Sequence, residues 1–401
     1  MTAFSRRRFL AAAVATGVTA SAGCSSPGSS ADGGDGADAG QGGDGGDGGP
    51  STSDTVGTGG TEGASETDPP TPTDPAADPT QHLPTTDETL PLPMSPSELR
   101  SEARSGGPAK DGIPSIDDPS FISAEEQNFL QLGDPVFGVV RGDTVKAYPQ
   151  KILVHHEIVN DRLDGEPVAV TYCPLTGTVQ GFDRGDTTFG VSGRLINNNL
   201  VMYDRATEAW WPQILATAIP GPWNEGPPTV SLSEFRLVWT TWKEWRDQYP
   251  DTQVLSKDTG SARNYRRDPY GAYNPRTGYY KNANTLFPSL NKDTSHQAKK
   301  VFMGARTPEG AVAFGKTELT DAGIMTGQIG ATTVLAVADP RFTTGYVYLN
   351  PEERSFEYDD GEVLGDGETF APDALPLTRV HTFDAMWFAW SGYYPDSNIY
   401  A

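Results

Sequence analysis

Apolar positions in this chain fall in short β-branched and aromatic runs, cut at close intervals by glycine and proline, of which there are 45 and 33 in 401 residues. Runs of that length between turn-forming residues predict strands rather than helices. VFGVV at 136–140 and TVKAY at 144–148 stand on either side of RGD, so a hairpin with a Gly-Asp turn is expected there. PVAVTY at 167–172 and TVQGFD at 178–183 read as two strands around the loop CPLTG, and LVMYD at 200–204 as another. The segment that follows His155 and His156 is expected to pair back on the 167–172 strand through the turn LDGEP. Helices are few. The clearest starts at Thr241, where a threonine N-cap and Glu244 at the third helical position form a capping box ahead of Trp245, and Pro250 stops it. The expected fold class is mainly β with a few short helices, an α+β arrangement.

Comparing the chain with itself brings out three matched pairs in the same order. VFGVVRGDTVKAY at 136 pairs with VFMGARTPEGAVAF at 301, VAVTYCP at 168 with VLAVADP at 334–340, and WKEWRDQYPDT at 242–252 with WFAWSGYYPDS at 387–397. They predict two related β-rich units, 105–260 and 301–401, each closed by an aromatic helix and joined by an aromatic and basic segment at 261–300. Internal duplication explains them; chance likeness of aromatic β segments is the competing explanation. In this pairing Asp339 stands opposite Cys173 and Pro340 opposite Pro174, and the histidines of the first unit have no counterpart, which confines any thiol chemistry to that unit.

The N-terminus is an address rather than structure. SRRRFLAAAVATGVTASAGC at 5–24 has a basic start and a run of apolar and small residues too short to cross a bilayer, as a signal peptide has. Ser5, Arg6, Arg7, Phe9 and Leu10 match the twin-arginine export pattern, read on chains that fold before export. Ala22, Gly23 and Cys24 fit the end of a lipobox, with Ser21 where a bulky residue is usual. Cys24 is thus the expected site of lipidation and membrane the expected partner, at an extracytoplasmic surface; cleavage with release is the alternative. Residues 25–94 hold mostly Gly, Asp, Ser, Thr, Pro and Ala, with no Lys or Arg and thirteen Asp or Glu, a composition expected to stay disordered as a spacer.

Charge narrows the partners. Of the net −23, Arg6 to Arg8 contribute +3 and the spacer −13, which leaves −13 on residues 95–401. A folded part this acidic repels phosphate backbones and argues against nucleic acid. Only ten of the 30 basic residues are lysine. An acidic, lysine-poor surface fits a protein kept soluble in high salt, where screening shortens the reach of self-repulsion; an ordinary acidic secreted protein is the alternative.

With Cys24 lipidated, Cys173 has no cysteine left to pair with, and an unpaired thiol outside the cell is either buried or used. As a packed residue it is a small hydrophobe. As a catalytic one it ends a strand at a proline corner, with His156 as base and Glu157 as the carboxylate that tunes it; His155 lacks that advantage. As a metal site the set is incomplete, since Met202, His296 and His381 follow no recognised ligand spacing. A second cluster at 190–211 mixes hydrogen-bonding groups with flat rings: Asn197, Asn198, Tyr203, Asp204, Arg205, Glu208 and Trp210. That mixture suits a polar ligand, and equally a salt-bridged loop. Arg266 and Arg267 offer themselves to an anion or to the protein's own carboxylates.

The ordered series DGIPSI at 111, AYP at 147, HHEIVND at 155, TYCPLTGT at 171, GVSG at 190, VMYDRATEAWW at 201 and WKEWRDQYPDTQVLS at 242 resembles the domain-of-unknown-function family 3179, found in exported bacterial and archaeal proteins. The resemblance spans about residues 105–400 and brings no established activity or cofactor. The family pattern reads Cys-Pro-Leu-Cys, whereas Thr176 takes the second cysteine's place here, which removes any dithiol mechanism. Three functions follow: a surface lipoprotein with a Cys173–His156 pocket, a non-catalytic binding module for an extracellular polar ligand or polymer, and a metal or redox protein.

Overall fold

Two-residue turns set the register of the strands around the candidate site. The computed structural model describes residues 77–401; the expected signal segment, Cys24 and the expected spacer up to residue 76 lie outside the described residues. Arg141 pairs with Thr144 across Gly142, whose φ of 56° makes the hairpin of strands Pro135–Arg141 and Thr144–Pro149. Leu163 pairs with Glu166 across Asp164 and Gly165, at φ 51° and 81°, and joins Ile158–Leu163 to Glu166–Cys173. Two successive left-handed residues give a turn whose twist matches that of the strands, and Asp-Gly adopts it at little cost. Asn197 and Asn198, at φ 53° and 61°, do the same between Phe189–Ile196 and Asn199–Asp204.

The same order of elements occurs twice. In the first half the hairpin leads through the short helix Gln150–Leu153 into the antiparallel strands Ile158–Leu163, Glu166–Cys173 and Thr178–Asp183. Val238–Thr241 then pairs antiparallel with the hairpin's first strand, the helix Trp242–Gln248 crosses, and Gln253–Leu255 pairs parallel with the second. In the second half Val301–Thr307 and Gly310–Gly315 form the hairpin, Lys316–Ala322 the helix, and Ile324–Ile329, Thr332–Asp339 and Thr344–Leu349 the three antiparallel strands. Thr382–Met386, the helix Trp387–Tyr393 and Asn398–Tyr400 close it, again antiparallel and then parallel. Cys173 pairs with Thr178 where Asp339 pairs with Thr344.

The aromatic helices show why particular residues recur. Thr241 Oγ1 accepts from the Glu244 amide at 3.2 Å while the Glu244 carboxylate accepts from the Thr241 amide at 3.1 Å, the expected capping box. Trp245 lies flat against Gly138, and Trp390 against Gly304, so closely that a Cβ at either glycine would fall within the indole. Each indole N–H is satisfied seven residues on, Trp245 by Thr252 Oγ1 at 3.0 Å and Trp390 by Ser397 Oγ at 2.9 Å. The halves differ in their additions: a four-stranded sheet with Phe189–Ile196 at its centre in the first, and a small sheet of Phe356–Asp359, Glu362–Gly365 and Glu368–Phe370 in the second.

One hydrophobic cluster runs through both halves, from Phe182, Val201 and Trp211 to Phe302, Trp387 and Tyr393. Polar clasps fix the contact. Arg236 donates to the carbonyls of Thr382 and Gly345 at 2.8 and 2.7 Å, and the fully buried Arg306 meets Glu234 at 2.8 Å. The packed chain also begins earlier than composition suggested. Within the spacer as drawn to residue 94, Leu83 and Leu90 are buried, Thr85 bridges to Leu232, and the Leu90 amide donates to Ser231 Oγ at 2.9 Å. His82, placed in the spacer by its neighbours' composition, meets Asp186 at 3.0 Å. Two well-spaced leucines and a few backbone hydrogen bonds suffice to dock such a segment, although its average composition is polar. Among the described residues no helix is long and apolar enough to cross a membrane.

Candidate functional site

Cys173 is the last residue of its strand, and the corner Pro174–Gly177 turns the chain back to Thr178. Its cysteine end is sealed from outside. Cys173 is 1% exposed, its Sγ lies 3.5 Å from the Asn198 carbonyl, and the Tyr279 hydroxyl donates to the Leu175 carbonyl at 2.8 Å. Thr176, where the family pattern has its second cysteine, is fully buried, offers its hydroxyl to the sulfur and receives the Asn199 side-chain amide at 3.2 Å. Burial pushes the Cys173 thiol up from its ordinary pKa, and the neighbouring Glu157 carboxyl adds to the shift. A thiol raised in this way stays protonated near neutral pH and is a poor nucleophile.

Glu157, expected from the sequence as the carboxylate that tunes His156, neighbours the thiol as an acid rather than a charge. It closes the short turn after the Gln150–Leu153 helix at φ 59°, and desolvation raises its carboxyl to about 8. Among the described residues no side chain donates to that carboxyl, so nothing repays the loss of water and the neutral form prevails.

His156 bonds elsewhere than to the thiol. Nδ1 donates to the Pro114 carbonyl at 2.8 Å, and Nε2 lies 2.6 Å from the Tyr265 hydroxyl, which also meets Thr259 at 2.5 Å. A carbonyl can only accept, so the proton sits on Nδ1 and Nε2 accepts from the tyrosine. Desolvation lowers the imidazole pKa. Both ring nitrogens are thereby occupied, and the Cys173–His156 pair expected from their spacing does not form a hydrogen-bonded dyad. His155 bonds the Arg267 carbonyl at 3.0 Å.

The residues expected to hold a ligand in the second cluster are spent on the protein itself, save the Trp210 indole N–H, which is buried with no hydrogen-bond partner among the described residues. Asn197 donates to the Ala389 carbonyl at 2.9 Å and accepts from the Leu290 amide at 3.0 Å; Asn198 donates to Phe287 O at 2.9 Å and accepts from its amide at 2.8 Å. These turn residues clamp the connecting segment and the Trp390 helix. Asp204, fully buried, accepts from the Thr207 amide and hydroxyl at 2.6 and 2.8 Å and from the Trp211 indole at 3.0 Å. Arg205 pairs with Asp117 at 3.0 Å and Asp111 at 3.3 Å, and Glu208 with Lys110. Tyr203 donates to Asp111, and Trp210 packs edge-on against Trp223. Arg266 and Arg267 are exposed.

For a metal, the described residues contain no group of three or more His, Cys, Asp or Glu able to hold an ion. Met202 is in the core, His296 packs on Phe302 and Trp387, and His381, half-buried, lies 3.5 Å from Glu234.

An open cleft lies elsewhere. A cleft of about 970 Å³ is lined by Trp239 and Glu244 of the first half, Tyr273, Lys281 and Lys299 of the connecting segment and Lys316 of the second half. Gly177, at the end of the cysteine corner, reaches its floor, while Cys173 does not line it. The sequence held one signal for this site, the crowding of lysines between 281 and 316 in a chain poor in them.

Fold and site together define a mostly β protein with a sealed thiol and an open cleft beside it. The chain belongs to the family described as "Protein of unknown function (DUF3179)", whose model matches residues 110–397. No curated protein and no solved structure matches it.

Proposed function

We propose that this is an exported, lipid-anchored surface protein that binds an extracellular ligand in the cleft and performs no chemistry through Cys173. One contrast carries this reading: the sulfur is 1% exposed with no imidazole bonded to it, whereas a cleft of about 970 Å³ stands open nearby. Clefts of that size are typical of small-molecule sites. The twin-arginine pattern and Cys24 supply the reading of place, with the acidic spacer as a tether of some tens of ångströms.

Two measurements test it. Iodoacetamide should label Cys173 only after unfolding, and Cys173→Ala should keep the fold; rapid labelling of the native protein with a lowered thiol pKa overturns the non-catalytic reading. In cell fractionation Cys24→Ala should move the protein from the membrane to the soluble extracytoplasmic fraction. Retention at the membrane to the same extent refutes the anchor.

A further inference from the structure

The protein has few cations, and they are not evenly spread. Of its ten lysines, Lys281, Lys299, Lys300 and Lys316 all line the cleft, together with Arg276, in a chain of net charge −23. Three carboxylates line it too, Glu244, Asp321 and Asp384. With Glu318 on Lys300 counted, five cations stand against four carboxylates, an excess of one, and the pairing leaves three of the cations without a carboxylate. Lys316 meets Asp384 at 2.5 Å, and Lys300 meets Glu318 at 2.6 Å. Glu244 is held by the hydroxyls of Thr240 and Thr241 at 2.8 Å and Thr343 at 2.7 Å. Among the described residues Arg276, Lys281 and Lys299 meet no carboxylate.

Lys299 is the least ordinary of the three. It is 6% exposed, its ammonium donates to the Tyr279 and Asn284 carbonyls, and it lies 3.3 Å from the centre of the Tyr279 ring. Desolvation draws its pKa down to about 8. Carbonyl dipoles and a ring face compensate an ammonium only in part, so a positive field remains at the cleft wall. Arg276 donates to the Lys299 carbonyl at 3.2 Å, which ties the two cations together. Trp239, the least buried aromatic residue of the lining, packs edge-on against Tyr273 with ring centres 5.1 Å apart.

We propose that the cleft binds a small ligand bearing an oxyanion, a carboxylate, sulfate or phosphate ester, with Arg276, Lys281 and Lys299 receiving the anion and Trp239 packing on the rest of the molecule. The proposal rests on the binding reading above and names the ligand class. A long polyanion is disfavoured by the −13 carried on residues 95–401, whereas a discrete anion answers the local excess without crossing the acidic surface.

Phenyl phosphate, phenyl sulfate and benzoate serve as probes, with phenyl glucoside as the neutral ring, followed by tryptophan fluorescence and calorimetry. The anions should bind and the glucoside should not, and the ranking of the three anions identifies the oxyanion. The double variant Arg276→Ala/Lys281→Ala, both positions exposed, should weaken binding about tenfold or more, the scale of one or two lost charged hydrogen bonds. Lys292→Ala, exposed and outside the cleft lining, should leave it unchanged. Equal binding of glucoside and phosphate, lost on Trp239→Ala, overturns the anion class and leaves the binding reading standing. Anion binding untouched by the double variant, or no anion binding to the folded wild type, overturns the proposal.

Discussion

Replacing Glu157 by glutamine should make the protein more stable, and by an amount that depends on pH. The carboxyl has an ordinary pKa of 4.5 in the unfolded chain and about 8 in the folded one, because burial removes its water and no donor replaces it. Between those values the unfolded state loses a proton that the folded state keeps, so rising pH favours unfolding. The stability is whole below pH 4.5, declines through pH 6 and has lost its full share by pH 8. At about 1.4 kcal/mol per pKa unit the loss is about 2 kcal/mol at pH 6 and at most about 5 kcal/mol above pH 8. Glutamine fills the same volume without ionising, so Glu157→Gln should match the wild type near pH 4 and exceed it increasingly toward pH 8. Urea unfolding at pH 4, 6 and 8 reads the difference directly, and carbon NMR of the labelled carboxyl reads the pKa itself. A stability difference that is constant across pH, or a carboxyl titrating near 4.5 in the native protein, refutes the reasoning.

Other perturbations follow from the same geometry. Asp204→Ala strands the Thr207 amide and hydroxyl and the Trp211 indole in the interior, and should cost about 3 kcal/mol in chemical unfolding while leaving ligand affinity in the cleft unchanged; a loss of affinity with intact stability would restore it to a binding role. Gly138→Ala places a methyl within the Trp245 indole and should cost about 3 kcal/mol or more, seen as a lowered melting temperature. His381, half-buried beside Glu234 and the guanidinium groups of Arg306 and Arg236, has its pKa lowered to about 4 chiefly by desolvation; Glu234 opposes the shift and the two cations add to it. Its folded-state pKa is below the unfolded value of 6.5, so the stability it contributes is present above 6.5 and is lost as pH falls toward 4, by at most about 3 kcal/mol. His381→Gln should flatten that part of the acid-unfolding curve; an unchanged acid limb shows that His381 is not responsible.

Turn chemistry, capping and strand rhythm were legible in the chain because each depends on residues a few positions apart. Asp164–Gly165 sets the register of the cysteine strand, TVQGFD is a strand at 178–183 as its pattern indicates, and Thr241 with Glu244 starts the Trp245 helix. Where the thiol faces was not legible. Its cover comes from Asn198 and Tyr279, and the partners of His156 from Pro114 and Tyr265, residues 42 to 109 positions away from the imidazole. The polar set from Asn197 to Trp210 has the composition of a ligand pocket and of an internal network alike, and only packing, which brings Asp111, Asp117 and Lys110 against it, selects the second. The sequence alone thus determined the mainly β class and the local turns, since backbone preference acts within a few residues. Tertiary structure decided which polar groups were consumed and which cations were left in an open cleft, since burial and pairing are properties of segments that meet only in space.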